Sequence, residues 1–207
     1  MKRLTVVLAF GLLLVGCREN AVKAVENSTP EPTPAAVSSA PRTIEEIRQA
    51  QARTASQLES SQLDSTSVRY DCSGERSGTV TFYNDKGSVK LIRHRFAEYS
   101  HFEGTHDFYV YDGEPYFAFL QDLTWTFAGE SETRDSVVQR RYYVLDGNPA
   151  ECLEKKFAVL SSEKGSRAAD AAPNTAIDCG SYQEVAAQFS QLYGMRERAG
   201  IVDCPVK

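Results

Sequence analysis

The sequence lacks the motifs by which common enzyme classes are recognised. It contains no G-x-S-x-G elbow, no H-E-x-x-H pair and no glycine-rich loop that would bind phosphate. Only three histidines are present, and no two cysteines have the C-x-x-C spacing of a zinc or redox site. Acidic residues are scattered over predicted turns and form no general acid–base pair. These absences favour a non-enzymatic protein without a cofactor or a metal.

The chain also lacks a basic excess and a second long apolar run. Its 207 residues include 23 Lys and Arg against 28 Asp and Glu, a formal net charge of −5 at pH 7. A modestly acidic protein is a poor candidate for binding nucleic acid or an anionic membrane surface. No run after residue 14 approaches the roughly twenty apolar residues of a membrane-spanning helix. We therefore expect no nucleic-acid partner.

The N-terminus has the organisation of a secretory signal. Lys2 and Arg3 precede the apolar run of residues 4–14, and small Gly16 precedes Cys17. At about a dozen residues, the run is too short for a transmembrane helix. The Leu-Val-Gly-Cys sequence of residues 14–17 resembles a bacterial lipobox. This resemblance implies a lipoprotein signal peptide over residues 1–16 and acylation of Cys17, whereas an ordinary cleaved signal with a chance cysteine is the alternative.

Acylation of Cys17 predicts the location of the protein. Acyl chains such as palmitate contribute about 0.8 kcal/mol per buried methylene, so two or three chains form a stable membrane anchor. Arg18, rather than Asp, follows the cysteine. By resemblance to lipoprotein sorting in Gram-negative bacteria, this favours the outer membrane facing the periplasm over the inner membrane. Without Lys2 and Arg3 the chain keeps 21 basic and 28 acidic residues, a net charge of about −7.

The remaining four cysteines predict two disulfide bonds in an oxidising compartment. They are Cys72, Cys152, Cys179 and Cys204. Three connectivities are open. We favour Cys179–Cys204, because both cysteines follow an aspartate and bracket one predicted helix, together with Cys72–Cys152, which would join the first strand to the last.

Composition divides the chain into a tether, two helices and a β domain. Residues 17–42 are rich in Pro, Ser, Thr and Ala, which is typical of a disordered tether behind the lipid anchor. Thr43 and Glu46 form a capping box and predict a helix over 43–62 with a thin apolar face. A β domain is predicted over 67–160 and a linker over 161–177. Ser181 and Glu184 form a second capping box in the C-terminal segment 178–207, predicted as a disulfide-clipped helix.

A repeated aromatic pair indicates β-hairpins. Each copy has two adjacent aromatic residues and a glycine five residues after the first. The copies are Phe82-Tyr83 with Gly87, Phe108-Tyr109 with Gly113, and Tyr142-Tyr143 with Gly147. The glycines suit tight turns that require a positive φ angle. We predict a mainly β (α+β) fold, an antiparallel meander of about seven or eight strands that forms a half-barrel or a small barrel.

Two clusters are candidate sites. The first is a set of tyrosines that form a possible binding face if they lie partly on the outer face of the sheet. It comprises Tyr83, Tyr109, Tyr111, Tyr116, Tyr142 and Tyr143. The favoured interpretation is that they pack against each other or under the N-terminal helix. The second set, His101, Glu103, His106 and Asp107, lies in a predicted loop, where a solvated polar connection is favoured over a metal site.

Two resemblances bear on function. The anchor, tether and aromatic hairpins resemble small bacterial lipoproteins of an uncharacterised β-domain family. Residues 68–72 and 79–84 are similar to the opening strands of membrane-bound inhibitors of C-type lysozyme, but the inhibitory segments of that family have no counterparts here. We therefore expect a non-enzymatic, membrane-anchored domain that binds an envelope protein or glycan. An inhibitor of a lytic enzyme and a hydrolase with an unrecognised site are the alternatives.

Overall fold

The computed structural model describes residues 39–163, 167–198, 200–202 and 204. The predicted signal peptide, Cys17 and the tether up to residue 38 lie outside the described residues. The described chain contains three α-helices, one short 3-10 helix and nine strands. In chain order these are α1 (Ile44–Glu59), β1 (Asp64–Cys72), β2 (Arg76–Asp85), β3 (Ser88–Glu98), β4 (Phe102–Tyr111), β5 (Glu114–Phe127), β6 (Thr133–Leu145), β7 (Asn148–Leu160), the 3-10 helix Ser161–Glu163, α2 (Ala168–Ala171), β8 (Thr175–Ala176), α3 (Tyr182–Tyr193) and β9 (Gly200–Val202).

All nine strands belong to one open sheet. Strands β1 to β7 form an antiparallel meander in sequence order, with β8 beside β7 at one edge and β9 beside β1 at the other. The β1–β9 pair is parallel, so the sheet is mixed. The predicted mainly β fold with an N-terminal and a C-terminal helix is confirmed. The sheet does not close into the small barrel that was one of the two predicted forms, and the sequence pattern did not indicate the short edge strands.

The three aromatic repeats form the β2–β3, β4–β5 and β6–β7 hairpins. Their turns place two successive residues at positive φ, with Asp112 at 48° and Gly113 at 85° in the second hairpin. Such turns match the right-handed twist of the flanking strands. Each of the three hairpins also has a register shift near its aromatic pair. The turn residues therefore fix the pairing of the central strands.

The two faces of the sheet pack against different helices. On the α3 face, buried residues of β1 to β7, among them Phe82, Phe108 and Tyr142, contact Val185 and Phe189 of α3. On the α1 face, a second buried cluster includes Ile47 of the helix. Because side chains alternate between faces along a strand, adjacent aromatic residues such as those of the repeats enter different cores.

Helix α1 lies on the sheet through two buried side chains, Ile47 and Thr54, and several polar contacts. Thr43 Oγ1 accepts a hydrogen bond from the Glu46 backbone N–H at 3.1 Å, which caps the helix. Ile47 is fully buried in the α1-face cluster. Gln51 Nε2 donates to Tyr109 Oη at 3.1 Å, and Arg48 forms an ion pair with Glu151 at 3.2 Å. The thin apolar face is therefore sufficient for docking.

Two disulfide bonds are present, but the favoured pairing was wrong. The observed bonds are Cys72–Cys204 and Cys152–Cys179. Parallel pairing of β9 with β1 sets Val202 opposite Tyr70, and Cys204 and Cys72 each lie two residues further along the chain. Likewise, Ala176 of β8 pairs with Leu153 of β7, which brings Cys179 close to Cys152. The bonds therefore fasten the two flanks of α3 to different strands instead of clipping the helix to itself.

The predicted linker over 161–177 contains structure that its composition did not indicate. Its described part includes α2 and β8, and Lys155 Nζ of β7 donates to the Ala169 carbonyl oxygen at 2.9 Å. The backbone N–H of Ile177 donates to the Cys152 carbonyl oxygen at 3.0 Å. These contacts lead the chain along β7 towards α3.

Candidate ligand-binding cavity

A cavity of about 940 Å³ lies between α3 and its face of the sheet. It is lined by polar and apolar side chains of β2 to β6, Leu120 among them, and by one side of α3. On the central strands the α3 face changes from apolar to polar within two residues: Ile92 is followed by His94, and Phe108 is preceded by His106. The apolar half of this face packs against α3, and the polar half borders the cavity.

His106 is the centre of a network that joins α3 to the sheet. Its Nε2 is 2.8 Å from Asp122 Oδ1, and its Nδ1 is 3.0 Å from Gln188 Oε1 of α3. Arg140 donates from Nη1 to Asp122 Oδ2 and from Nε to Glu154 Oε2, both at 3.2 Å. Since each partner of this network is already hydrogen-bonded, it forms a fixed polar wall.

His94 is the most deeply buried polar residue of the cavity. Its side chain is 1% exposed, its Nε2 lies 2.9 Å from Tyr70 Oη, and its ring stacks on Phe96 at 4.5 Å between centroids. Burial, with smaller contributions from His106 and Arg76, lowers the pKa of His94 to about 3. The ring is therefore neutral at pH 7 and carries one proton.

Arg76 lies beside His94 and has an incomplete set of partners. Its guanidinium carbon is 5.1 Å from the Phe96 ring centroid and 6.0 Å from that of Tyr70. Its Nε is 3.0 Å from Glu98 Oε1 but outside hydrogen-bonding geometry. The ion pair with Glu98 is thus a charge contact without a well-aligned hydrogen bond.

An aromatic patch lies at the turns beyond Glu98. Tyr99 and Phe127 are 72% and 75% exposed, and the His101 ring contacts Trp125 at 4.2 Å between centroids. A smaller cavity of about 580 Å³ is lined by these residues and by Glu98. Glu98 therefore lies between Arg76 of the large cavity and the exposed aromatic rings.

The predicted tyrosine face is not an exposed surface. Tyr109, Tyr116, Tyr142 and Tyr143 are at most 8% exposed. The other two members, Tyr83 and Tyr111, are half-buried and pack against the α1-face cluster. Tyr142 packs instead on the α3 face. Five of the six positions thus pack under the N-terminal helix, as the favoured interpretation predicted, and the sixth faces α3, so the four buried tyrosines do not form a binding face.

The candidate metal-binding cluster is divided between the two faces of β4. His101 lies in a turn and Glu103, His106 and Asp107 lie on the strand, not in a loop. Asp107 points away from His106 and accepts two hydrogen bonds from Arg93 at 2.7 Å. Within the described ranges, no three His, Cys, Asp or Glu side chains are close enough to hold a metal ion.

The cavity does not contain a recognisable nucleophile–base pair. In the part of the chain that the structure describes, no serine or cysteine is hydrogen-bonded to His94 or His106. Ser181 is close by, but its Oγ bonds to Tyr142 Oη at 2.9 Å and makes no helix-capping bond, so the second capping box is not formed. Asp122 and Glu154 share Arg140, which pairs both carboxylates with a cation. The arrangement is suited to hydrogen bonding of a polar ligand.

Sequence reasoning missed five residues of the cavity: Arg76, His94, Asp122, Arg140 and Gln188. The sequence did carry one signal for these residues, namely the alternation of inward and outward positions along a strand. His94 occupies the same alternating phase as the buried residues Ile92 and Phe96. A polar side chain at an inward position must find a partner or a ligand.

No family model, no curated protein and no solved structure matches this chain. Among the described helices, none has the length and apolar character that crossing a membrane requires. The cavity and the sequence features of the N-terminus are therefore the observations that bear on function.

Proposed function

We propose that this chain is a lipid-anchored, non-enzymatic binding domain of the bacterial envelope, and that its ligand is a glycan bound in the cavity beneath α3. Acylated Cys17 would hold the domain in a bilayer, with the outer membrane facing the periplasm favoured. The observation that carries the proposal is the cavity of about 940 Å³, whose lining combines charged and amide side chains with apolar ones. Its volume is within the range of small-molecule sites, about 300–1,000 Å³.

The lining supports a glycan over a protein partner. A sugar presents hydroxyl and amide groups that both donate and accept hydrogen bonds, and it can be enclosed in a cavity of this size. The wall offers imidazole, guanidinium, carboxylate and amide groups from His106, Arg140, Asp122 and Gln188. The predicted tyrosine surface, which would have suited a protein, is mostly buried.

The proposal predicts that filling the cavity abolishes binding. Ala187 and Gln183 are both exposed on α3, but only Ala187 lines the cavity. We expect the full-length protein in detergent micelles to cosediment with insoluble cell-wall glycan. Ala187→Trp should weaken this binding at least tenfold, because the indole occupies the ligand's volume.

Gln183→Trp is the matched control and should bind like the wild type. Absence of wild-type binding, or equal binding by both variants, would contradict a glycan site in the cavity. Release of soluble fragments by the protein alone would instead support a hydrolase. Slower digestion of the glycan by added C-type lysozyme, without cosedimentation, would support an inhibitor.

A further inference from the structure

The cavity contains two unsatisfied polar atoms. Among the described residues, His94 Nδ1 and Arg76 Nε are the only buried side-chain nitrogen or oxygen atoms without a hydrogen-bond partner. Both residues line this cavity. Buried polar groups in native proteins are nearly always paired, so two unpaired atoms beside one cavity indicate a missing partner. The missing partner must be a group that can form hydrogen bonds with both His94 Nδ1 and Arg76 Nε.

Both atoms are hydrogen-bond donors. Arg76 Nε always carries hydrogen. For His94, the hydroxyl of Tyr70 is neutral, because burial raises the pKa of Tyr70. The cation of Arg76 beside Tyr70 attracts the lone pairs of this hydroxyl, which turns its hydrogen towards His94 Nε2. Nε2 then accepts, and the single proton of the neutral ring is on Nδ1.

Glu98 marks the place of the missing acceptor. Its carboxylate is 3.0 Å from Arg76 Nε without proper geometry, and its side chain is 37% exposed. The strand backbone fixes where this side chain starts, so it reaches Arg76 only at a poor angle. An exposed side chain of this kind can turn into solvent when a better-placed acceptor arrives. Movement of Arg76 away from Glu98 would also open the path to His94.

We propose that the ligand carries an anionic oxygen group, a carboxylate or a phosphate, which displaces Glu98 from Arg76 and accepts hydrogen bonds from Arg76 Nε and His94 Nδ1. This inference rests on the proposed function and narrows its ligand to an acidic glycan. The planar guanidinium favours oxygen pairs of this type over a single hydroxyl. The sugar ring would remain in the cavity, where His106, Asp122 and Arg140 form the wall.

Three simple sugars test the inference. The full-length protein in detergent micelles is titrated with glucose, glucuronic acid and glucose 6-phosphate, and binding is followed by calorimetry. We expect at least one acidic sugar to bind ten times more tightly than glucose. The tighter of the two identifies the group as carboxylate or phosphate.

Variants at the two ends of the ion pair make the test specific. Arg76→Lys keeps the charge but removes Nε–H, so the preference for the acidic sugar should fall to near onefold. Glu98→Gln removes the internal competitor and should increase the affinity for the acidic sugar at least threefold. Arg95→Lys, at an exposed position on β3, is the control. It should change neither the preference for the acidic sugar over glucose nor the affinity for the acidic sugar.

The outcomes separate this inference from the proposed function. If glucose binds as tightly as both acidic sugars and Ala187→Trp abolishes this binding, the anionic group is wrong while the glycan site stands. If no sugar binds and insoluble glycan is not retained, both the anionic group and the glycan site are contradicted. Should Arg76→Lys fail to fold, the gain from Glu98→Gln decides, and an unchanged affinity for the acidic sugar contradicts the displacement.

Discussion

Replacing both Cys72 and Cys204 by serine is expected to lower the free energy of unfolding by about 5 kcal/mol. The bond joins residues 132 positions apart, and in the chain-entropy model the stabilisation grows with the length of the closed loop. The double variant Cys152→Ser with Cys179→Ser opens a loop of only 27 positions and should lose about 3.5 kcal/mol. Urea unfolding of the wild type and the two double variants, without reductant, measures both losses.

The comparison of the two double variants is its own control, since each removes one disulfide and adds two serines. A larger loss for Cys152 and Cys179 than for Cys72 and Cys204 would contradict the expected order. A peptide map of the unreduced protein checks the pairing directly. Peptides linked through Cys72–Cys152 or Cys179–Cys204 would contradict the way in which β8 and β9 place the flanks of α3.

Acidification is expected to destabilise the domain through His94. The pKa of His94 is about 3 in the folded protein, against an ordinary value of 6.5. Between these values the unfolded chain binds a proton that the folded one does not, so stability rises with pH in this window. The contribution is complete above pH 6.5 and is lost as pH falls, by about 1.4 kcal/mol per unit. By pH 5 the loss is about 2 kcal/mol.

Two variants isolate this effect in urea unfolding measured between pH 7.5 and pH 5. His94→Gln removes the buried titrating group, so its loss of stability over this range should be smaller than that of the wild type by about 2 kcal/mol. His101→Gln, in an exposed turn, should keep the wild-type dependence. If His94→Gln and the wild type show the same dependence on pH, His94 is not the neutral buried ring that the cavity requires.

The strands and hairpins of the sheet could be predicted because their turn residues and their alternation of buried and exposed positions lie within short stretches of sequence. Asp112-Gly113 and Asp146-Gly147 adopt the positive φ angles that their turns require, and the aromatic repeats before them belong to paired strands. Period-two alternation marked these strands, and Thr43 marked the start of α1. Each of these features depends on residues that are neighbours in the chain.

The cavity and the disulfides could not be predicted in the same way. Cys204 meets Cys72 only because β9 pairs in parallel with a strand that precedes it by some 130 residues, a spacing that no local pattern encodes. His106 contacts Gln188 only because α3 returns across the sheet. The tyrosines illustrate the same limit: the local pattern left open whether they form a surface or pack under the N-terminal helix, and α1 covers five of the six.

The proposed function depends most on the compartment, because oxidised cysteines and an envelope glycan both require a location outside the cytoplasm. Cys17→Ser tests it most directly, by membrane fractionation and mass spectrometry of the protein in its host. We predict that the wild type is found in the membrane fraction with an acylated N-terminal cysteine, and that the variant loses both the acyl mass and its processed size. A Cys17→Ser protein that still fractionates with membranes at the processed size of the wild type would contradict lipid anchoring through Cys17.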